Sequence, residues 1–315
     1  MALLIGSEGS ESKSGTEAEQ SQNLEQLENL LIETRKGVIQ RLKESTNPYH
    51  NYKHTEEVVN HFQTLLANLS ESTQSYFDER KKLLSIDVTW RHDDKHIGQR
   101  HRQEKLLRDS SLRALALAAG EDPRDSNEEY AVKTMRKELL EQEKSQKTNI
   151  LSEQDHKFME ELLLATTFGQ NDITILFLDQ IDYLRPYNPE SIEQKLLALA
   201  DVSSFMDGWE SWLENSFLFL EESLQDNLMT NPRNFDSWLI GQKNFLEKYV
   251  TPLLEKNKDS LNEEFYLKTK ETLRMIIERI STLIAKPSSK QAENLKNQFE
   301  NKFRVLLRER NYDLN

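Results

Sequence analysis

The stretch NPYHNYKHTEEVVNHFQTLLANL, residues 47–69, decides how the chain is read. Helical periodicity runs through 54–69, and Pro48 suits the first turn of that helix with Asn47 as its cap. His50 and His54 then stand four residues apart, one above the other on a single helix face. Two readings follow from the spacing alone. The rings belong to an active site as acids or ligands, or they are a solvated pair on an ordinary surface.

Outward from this stretch the helical period persists. Upstream, Leu24, Leu27, Leu30, Leu31 and Ile39 recur at steps of three and four. Downstream the same period returns in 103–119, 128–143, 153–168, 191–200, 209–224, 235–256, 260–285 and 290–309. Strand alternation appears nowhere, and ITILFLD (173–179) is the one ambiguous run. Only 9 glycines and 7 prolines punctuate the chain, which argues for long helices rather than many short strands. Residues 1–21 are rich in Ser, Glu and Gly and read as a disordered tail. The fold class expected is all-α: a compact multi-helix bundle forming one domain over 22–315. Its core spans about 30–260, and C-terminal helices cover 260–310.

Composition removes several function classes. A net charge of −13 argues against a phosphate-tracking nucleic-acid surface, although a bound cation can still bring in a small anionic substrate. With no cysteine there is no disulfide framework, no thiolate zinc site and no cysteine nucleophile, so any metal must be held by histidine and carboxylate. No apolar run approaches a membrane span, and MALLIG is too short for a signal peptide, so a cytoplasmic protein without membrane partners is expected.

A second cluster, WRHDDKHIGQRH (90–101), holds His92, Asp93 and His96. Imidazole beside carboxylate suits a divalent cation, and four of the 7 histidines, His50, His54, His92 and His96, make up these two clusters at four-residue spacing. Asp201, in LLALADVSSF (196–205), follows an apolar helical run. It either caps the next segment or points inward at something positive. Trp209, Trp212, Phe217 and Phe219 read as core packing, and His61, His101 and His156 as structural or surface residues.

YHNYKH (49–54), HDDKHIG (92–98) and ADVSS (200–204), in that order, resemble the three metal-site motifs of the HD superfamily of metal-dependent phosphohydrolases. More specifically they resemble the class I cyclic nucleotide phosphodiesterases, an all-helical family. LLLATT (162–167) is similar to that family's helix ending in Ala-Thr-Asp. GQKNFLEKYVTPLL (241–254) resembles its substrate-pocket helix, with Gln242, Phe245, Pro252 and Leu253 at the matching places.

The resemblance implies a division of labour. His54, His92, Asp93 and Asp201 would hold a first ion, zinc, and Asp93 would bridge to a second, magnesium or manganese. Two such ions clamp the attacking and leaving oxygens of an in-line displacement. His50 would be the general acid, and His96 would orient water at the second ion. Gln242 would hydrogen-bond a purine edge and Phe245 stack on its face, with Asn51 and Ser204 completing the substrate-binding set. The function implied is hydrolysis of a 3',5'-cyclic nucleotide (cAMP or cGMP) to the 5'-monophosphate. A general HD phosphohydrolase acting on another phosphate ester, or a non-catalytic nucleotide-binding relative, are the alternatives.

The chain departs from the family pattern at several places. No histidine lies between His101 and His156, where the family carries Glu-Asn-His-His; Glu128 and Glu129 are the nearest carboxylates. Lys95 and Thr167 stand where the family has aspartates, Ala198 where it has a histidine, and Ser204 where asparagine is common. The apolar face Leu295, Phe299, Phe303, Leu306 is suited either to covering the bundle or to pairing with a second copy as a homodimer.

Overall fold

The computed structural model describes residues 17–94, 96, 110–118, 127–166, 189–225 and 235–309. Expectations placed on Lys95, Gly98, His101, Thr167 and the run 173–179 lie outside them. The described chain is helical, and its one β-type contact is an isolated bridge between Leu69 and Leu261. Among the described residues no helix is long and apolar enough to cross a membrane.

Helix α1 (Glu17–Glu44) starts inside the stretch expected to be tail: residues 17–21 belong to the helix. It packs along α4 (Glu79–Arg91), which in turn lies against α2 (Tyr52–Ala67) and α7 (Glu153–Leu163). Helix α6 (Asn127–Gln146) closes the other side of α1, and α8 (Ile192–Asp201) lies on α2. The side chains between them, Leu27, Leu30, Phe62, Leu84, Val88, Leu196 and Leu199, are fully or almost fully buried. Helices α3 (Glu71–Gln74) and α5 (Ser110–Ala118) are short connecting elements.

Helix α4 is absent from the periodicity read in the sequence, for a physical reason. Its inward positions include Ser85, Asp87, Thr89 and Arg91, all buried, so polar residues occupy places where a core-facing helix ordinarily shows apolar ones. The start of α2 also differs from expectation. Asn51, not Asn47, is the N-cap: its Oδ1 accepts from the Lys53 and His54 amides at 2.8 and 3.3 Å. His50 therefore precedes the helix and does not share a helical face with His54.

The second half of the bundle pairs α9 (Trp209–Gln225) with α13 (Lys290–Glu309), and α10 (Phe235–Phe245) with α12 (Glu263–Ala285). A π-turn, Leu246–Val250, joins α10 to α11 (Thr251–Lys256). Pro252 cannot donate an amide hydrogen bond, and the wider turn accommodates that loss while Thr251 Oγ1 donates to the Leu246 carbonyl at 2.8 Å.

The apolar face of α13 is used within the chain. Ala292, Leu295, Phe299 and Phe303 are buried, and Phe299 meets Trp238 at 5.3 Å and Phe235 at 5.6 Å between ring centroids. Of the sequence's two readings of that face, it covers the bundle. The aromatic group on α9 is also core: Trp212 and Phe217 are buried, with Trp209 and Phe219 packed against them. Phe299→Ala should lower the unfolding free energy by about 3–5 kcal/mol, the range for deleting a buried aromatic side chain, as read by urea denaturation. A loss under about 1 kcal/mol would show that α13 does not close the core.

Candidate metal centre

Three chain segments bring the polar residues of the two sequence clusters together. The N-cap at Asn51 fixes the first turn of α2 and so the direction of His54. The end of α4 delivers His92 and, in the following turn, Asp93. The last residue of α8 is Asp201, which does not cap the next segment but turns toward the imidazoles. His92 Nδ1 donates to the Thr89 carbonyl at 2.7 Å, which fixes the tautomer and leaves the Nε2 lone pair facing inward.

The inward atoms converge. His54 Nε2 lies 3.5 Å from Asp93 Oδ2 and 3.4 Å from Asp201 Oδ1, and His92 Nε2 lies 3.2 and 3.4 Å from the same two oxygens. His54 Nε2, His92 Nε2 and Asp93 Oδ2 are buried and have no hydrogen-bond partner. Buried polar atoms are ordinarily satisfied, so a convergent set of orphaned acceptors is the pattern a cation would complete. Two imidazole nitrogens and two carboxylate oxygens are a donor set that zinc accepts. Without a cation a proton must stand in. Burial opposes a charged His92, but Asp93 and Asp201 hold its pKa well above the ordinary value. Burial would raise Asp201, yet the His54 and His92 imidazoles beside it hold it down at about 2.

Beside this set lies a second one built around His50. His50 Nδ1 is 2.7 Å from Glu222 Oε1, while Glu222 Oε2 accepts the Tyr49 and His50 amides at 2.9 Å each. The buried carboxylate thereby fixes the loop and the ring, and leaves His50 Nε2 as the free nitrogen. Burial works to lower the His50 pKa, but Glu222 and then Asp93 raise it to about 9. His96 stacks on His50 with ring centroids 3.8 Å apart. Burial and the neighbouring His50 charge lower the His96 pKa to about 3, so this ring is neutral. Asn127 Nδ2 lies 3.0 Å from His96 Nε2, which puts the start of α6 beside the site. Asn47, expected as a helix cap, instead donates to the His96 carbonyl at 2.7 Å and ties the two clusters together. Glu222 did not stand out in the sequence, since a glutamate in the last turn of α9 has the look of a surface residue.

The sequence-predicted substrate residues fall in different settings. Asn51 spends its whole amide on backbone: Oδ1 on the cap, and Nδ2 on the Asn47 and Pro48 carbonyls at 3.0 and 2.8 Å. Its amide is thus occupied by the start of α2. Ser204 is half-buried in the turn after Asp201. Gln242 is buried on α10, and the half-buried Phe245 stacks on Tyr249, 5.4 Å away across the π-turn. Tyr49 lies over His54, with ring centroids 4.0 Å apart, and shields that imidazole.

No protein-family model matches the chain, and no curated protein matches it by sequence. Solved structures match its fold. LmjPDEB1, determined in complex with IBMX, aligns with a TM-score of 0.55 at 15% identity, over 86% of this chain and 89% of its own. The phosphodiesterase domain of the RhoPDE fusion protein from the choanoflagellate Salpingoeca rosetta aligns with a TM-score of 0.51 at 15% identity, over 93% and 94%. The chain thus has the all-helical fold of phosphodiesterase domains, and the resemblance read from its motifs agrees with that fold.

Zinc at 100 times its Kd should raise the unfolding free energy by about 2.7 kcal/mol, as expected for a ligand that binds only the folded state. Asp201→Ala should lose this stabilisation while His50→Ala keeps it, in a chelator-controlled thermal melt. Retention by Asp201→Ala would remove Asp201 from the ligand set.

Proposed function

We propose that the chain is a metal-dependent phosphodiesterase that opens a 3',5'-cyclic nucleotide to the 5'-monophosphate. The observation that carries this reading is the juxtaposition of two built groups. One is the donor cage of His54, His92 and Asp93, with Asp201 3.4 Å from both imidazole nitrogens. The other is an imidazole, His50, kept charged by a buried glutamate. The cage would hold the first ion, zinc, and Asp93 would be shared with a second, magnesium or manganese. Bound there, divalent ions supply charge neutralisation of the phosphoryl oxygens and a water nucleophile available near neutral pH.

The protein's own groups do the rest. Glu222 holds the proton of His50 Nδ1 and supports the positive ring, so Nε2–H is the proton given to the ribose 3'-oxygen as the P–O bond breaks. His96 keeps that ring in plane by stacking. Neutrality suits His96 to this place, because a second positive ring would repel His50. A cation cage also explains how a protein of net charge −13 would take an anionic substrate. Gln242 and Phe245 on α10 would bind the base, Gln242 by its amide and Phe245 by its face.

The acid requirement has a definite pH sign. His50 is protonated below its pKa of about 9, so kcat should fall as pH rises through that value. Glu222→Gln removes the carboxylate that raises the pKa, and the alkaline limb should move to lower pH. An unmoved limb would deny His50 the acid's role. Incubation with cAMP or cGMP and manganese should give 5'-AMP or 5'-GMP by chromatography, and His50→Ala should lose roughly 10²–10⁴-fold of kcat. A metal-loaded wild type that forms neither product would overturn the phosphodiesterase reading.

The base-binding reading predicts that Gln242→Ala raises KM for a cyclic purine nucleotide severalfold and leaves a small bis-aryl phosphate unaffected. Equal effects on both substrates would place Gln242 outside the pocket.

A further inference from the structure

The metal-site turn is anchored by an ionic chain that involves none of the candidate ligands. It begins on α1, where Arg35 Nε lies 3.2 Å from Asp87 Oδ1. Asp87 Oδ2 accepts from Arg91 Nε at 2.7 Å, and Arg91 continues to Glu138 at 3.1 Å and to the Thr34 hydroxyl at 2.8 Å. Glu138, on α6, accepts from Arg41 Nη2 at 2.9 Å. Arg41 then closes on Asp94 in a two-pronged contact: Nε to Oδ1 at 2.8 Å and Nη2 to Oδ2 at 2.5 Å. Asp94 is buried and immediately follows Asp93.

We infer that Arg41 is a positioning residue of the metal centre, holding the His92–Asp93 turn in place through its bidentate grip on Asp94. This rests on the reading of His54, His92, Asp93 and Asp201 as a cation site. Two features show a built clamp. The planar fork of guanidinium against carboxylate fixes orientation as well as distance, which a lysine cannot do. Gly37, one turn before Arg41 in the interior of α1, lies beneath it: a Cβ there would sit in tight contact, 3.3 Å from Arg41 Nη1.

Electrostatics and positioning predict opposite signs, which makes the test sharp. Removing a positive charge close to a cation site should tighten cation binding by relieving like-charge repulsion. Losing the anchor should weaken it, on the scale of about 10–100-fold seen when outer partners of metal ligands are removed. Zinc affinity is measured by chelator competition on wild type, Arg41→Gln, Asp94→Asn, the double variant and Arg35→Gln. Each is confirmed folded by circular dichroism. Arg35→Gln is the control, since Arg35 belongs to the same ionic chain but touches Asp87 alone among the acids.

The expected result is at least tenfold weaker zinc binding in Arg41→Gln. Asp94→Asn should lose as much, the double variant no more than either single one, and Arg35→Gln nothing. Unchanged or tighter binding in Arg41→Gln overturns the inference, as does an equal loss in Arg35→Gln or additive losses in the double variant. If Arg41→Gln does not fold, Arg41→Lys carries the same test, because it keeps the charge and loses the fork. Failure of the wild type to bind zinc would instead sink the cation site itself.

Discussion

Unsatisfied lone pairs in a buried site are the constraint on which the rest of this structure depends. Two imidazole nitrogens and two carboxylate oxygens face each other within hydrogen-bonding range, and three of the four have no hydrogen-bond partner. Leaving such groups buried and unpaired costs roughly 1–3 kcal/mol each, more for a charge. A fold that pays this cost at one place must hold the groups there by other means. The cap of α2 at Asn51, the Thr89 carbonyl under His92 and the ionic chain from α1 to Asp94 are those means.

The same economy appears around His50. A histidine in a loop would ordinarily choose its own orientation, but Glu222 reaches from α9 and takes both the ring and two backbone amides. The pairing keeps the imidazole charged in a place where burial alone would neutralise it. Asn47 joins the loop to the carbonyl of His96, whose ring stacks on His50. Glu222 and Asn47 thus hold His50 beside the turn that carries His92 and Asp93.

Much of the fold was legible in the sequence because most helices bury an apolar stripe; α2, α8, α12 and α13 show the three-and-four spacing openly. Helix α4 did not, since Ser85, Asp87, Thr89 and Arg91 occupy its inward face, Asp87 and Arg91 as members of the ionic chain. His54, His92, Asp93 and Asp201, which the structure brings together, stood out because histidine and aspartate cluster in short motifs with fixed spacing. Glu222 did not, because its partners are 172 and 173 positions away and its own neighbourhood carries no motif. The capping use of Asn51 was hidden for a related reason: an asparagine between two histidines looks chemical, while its amide is taken up by the helix start. Local pattern reports what a segment buries. It does not report which distant segment completes its polar groups.

X-ray absorption at the zinc edge of the loaded protein tests the central claim most directly. The cage predicts two imidazoles and further oxygen ligands at about 2.0–2.2 Å, with no sulfur, and loss of that pattern in His92→Ala. A spectrum with no imidazole scattering, or one unchanged in His92→Ala, would mean the ion binds elsewhere and the buried lone pairs have another purpose.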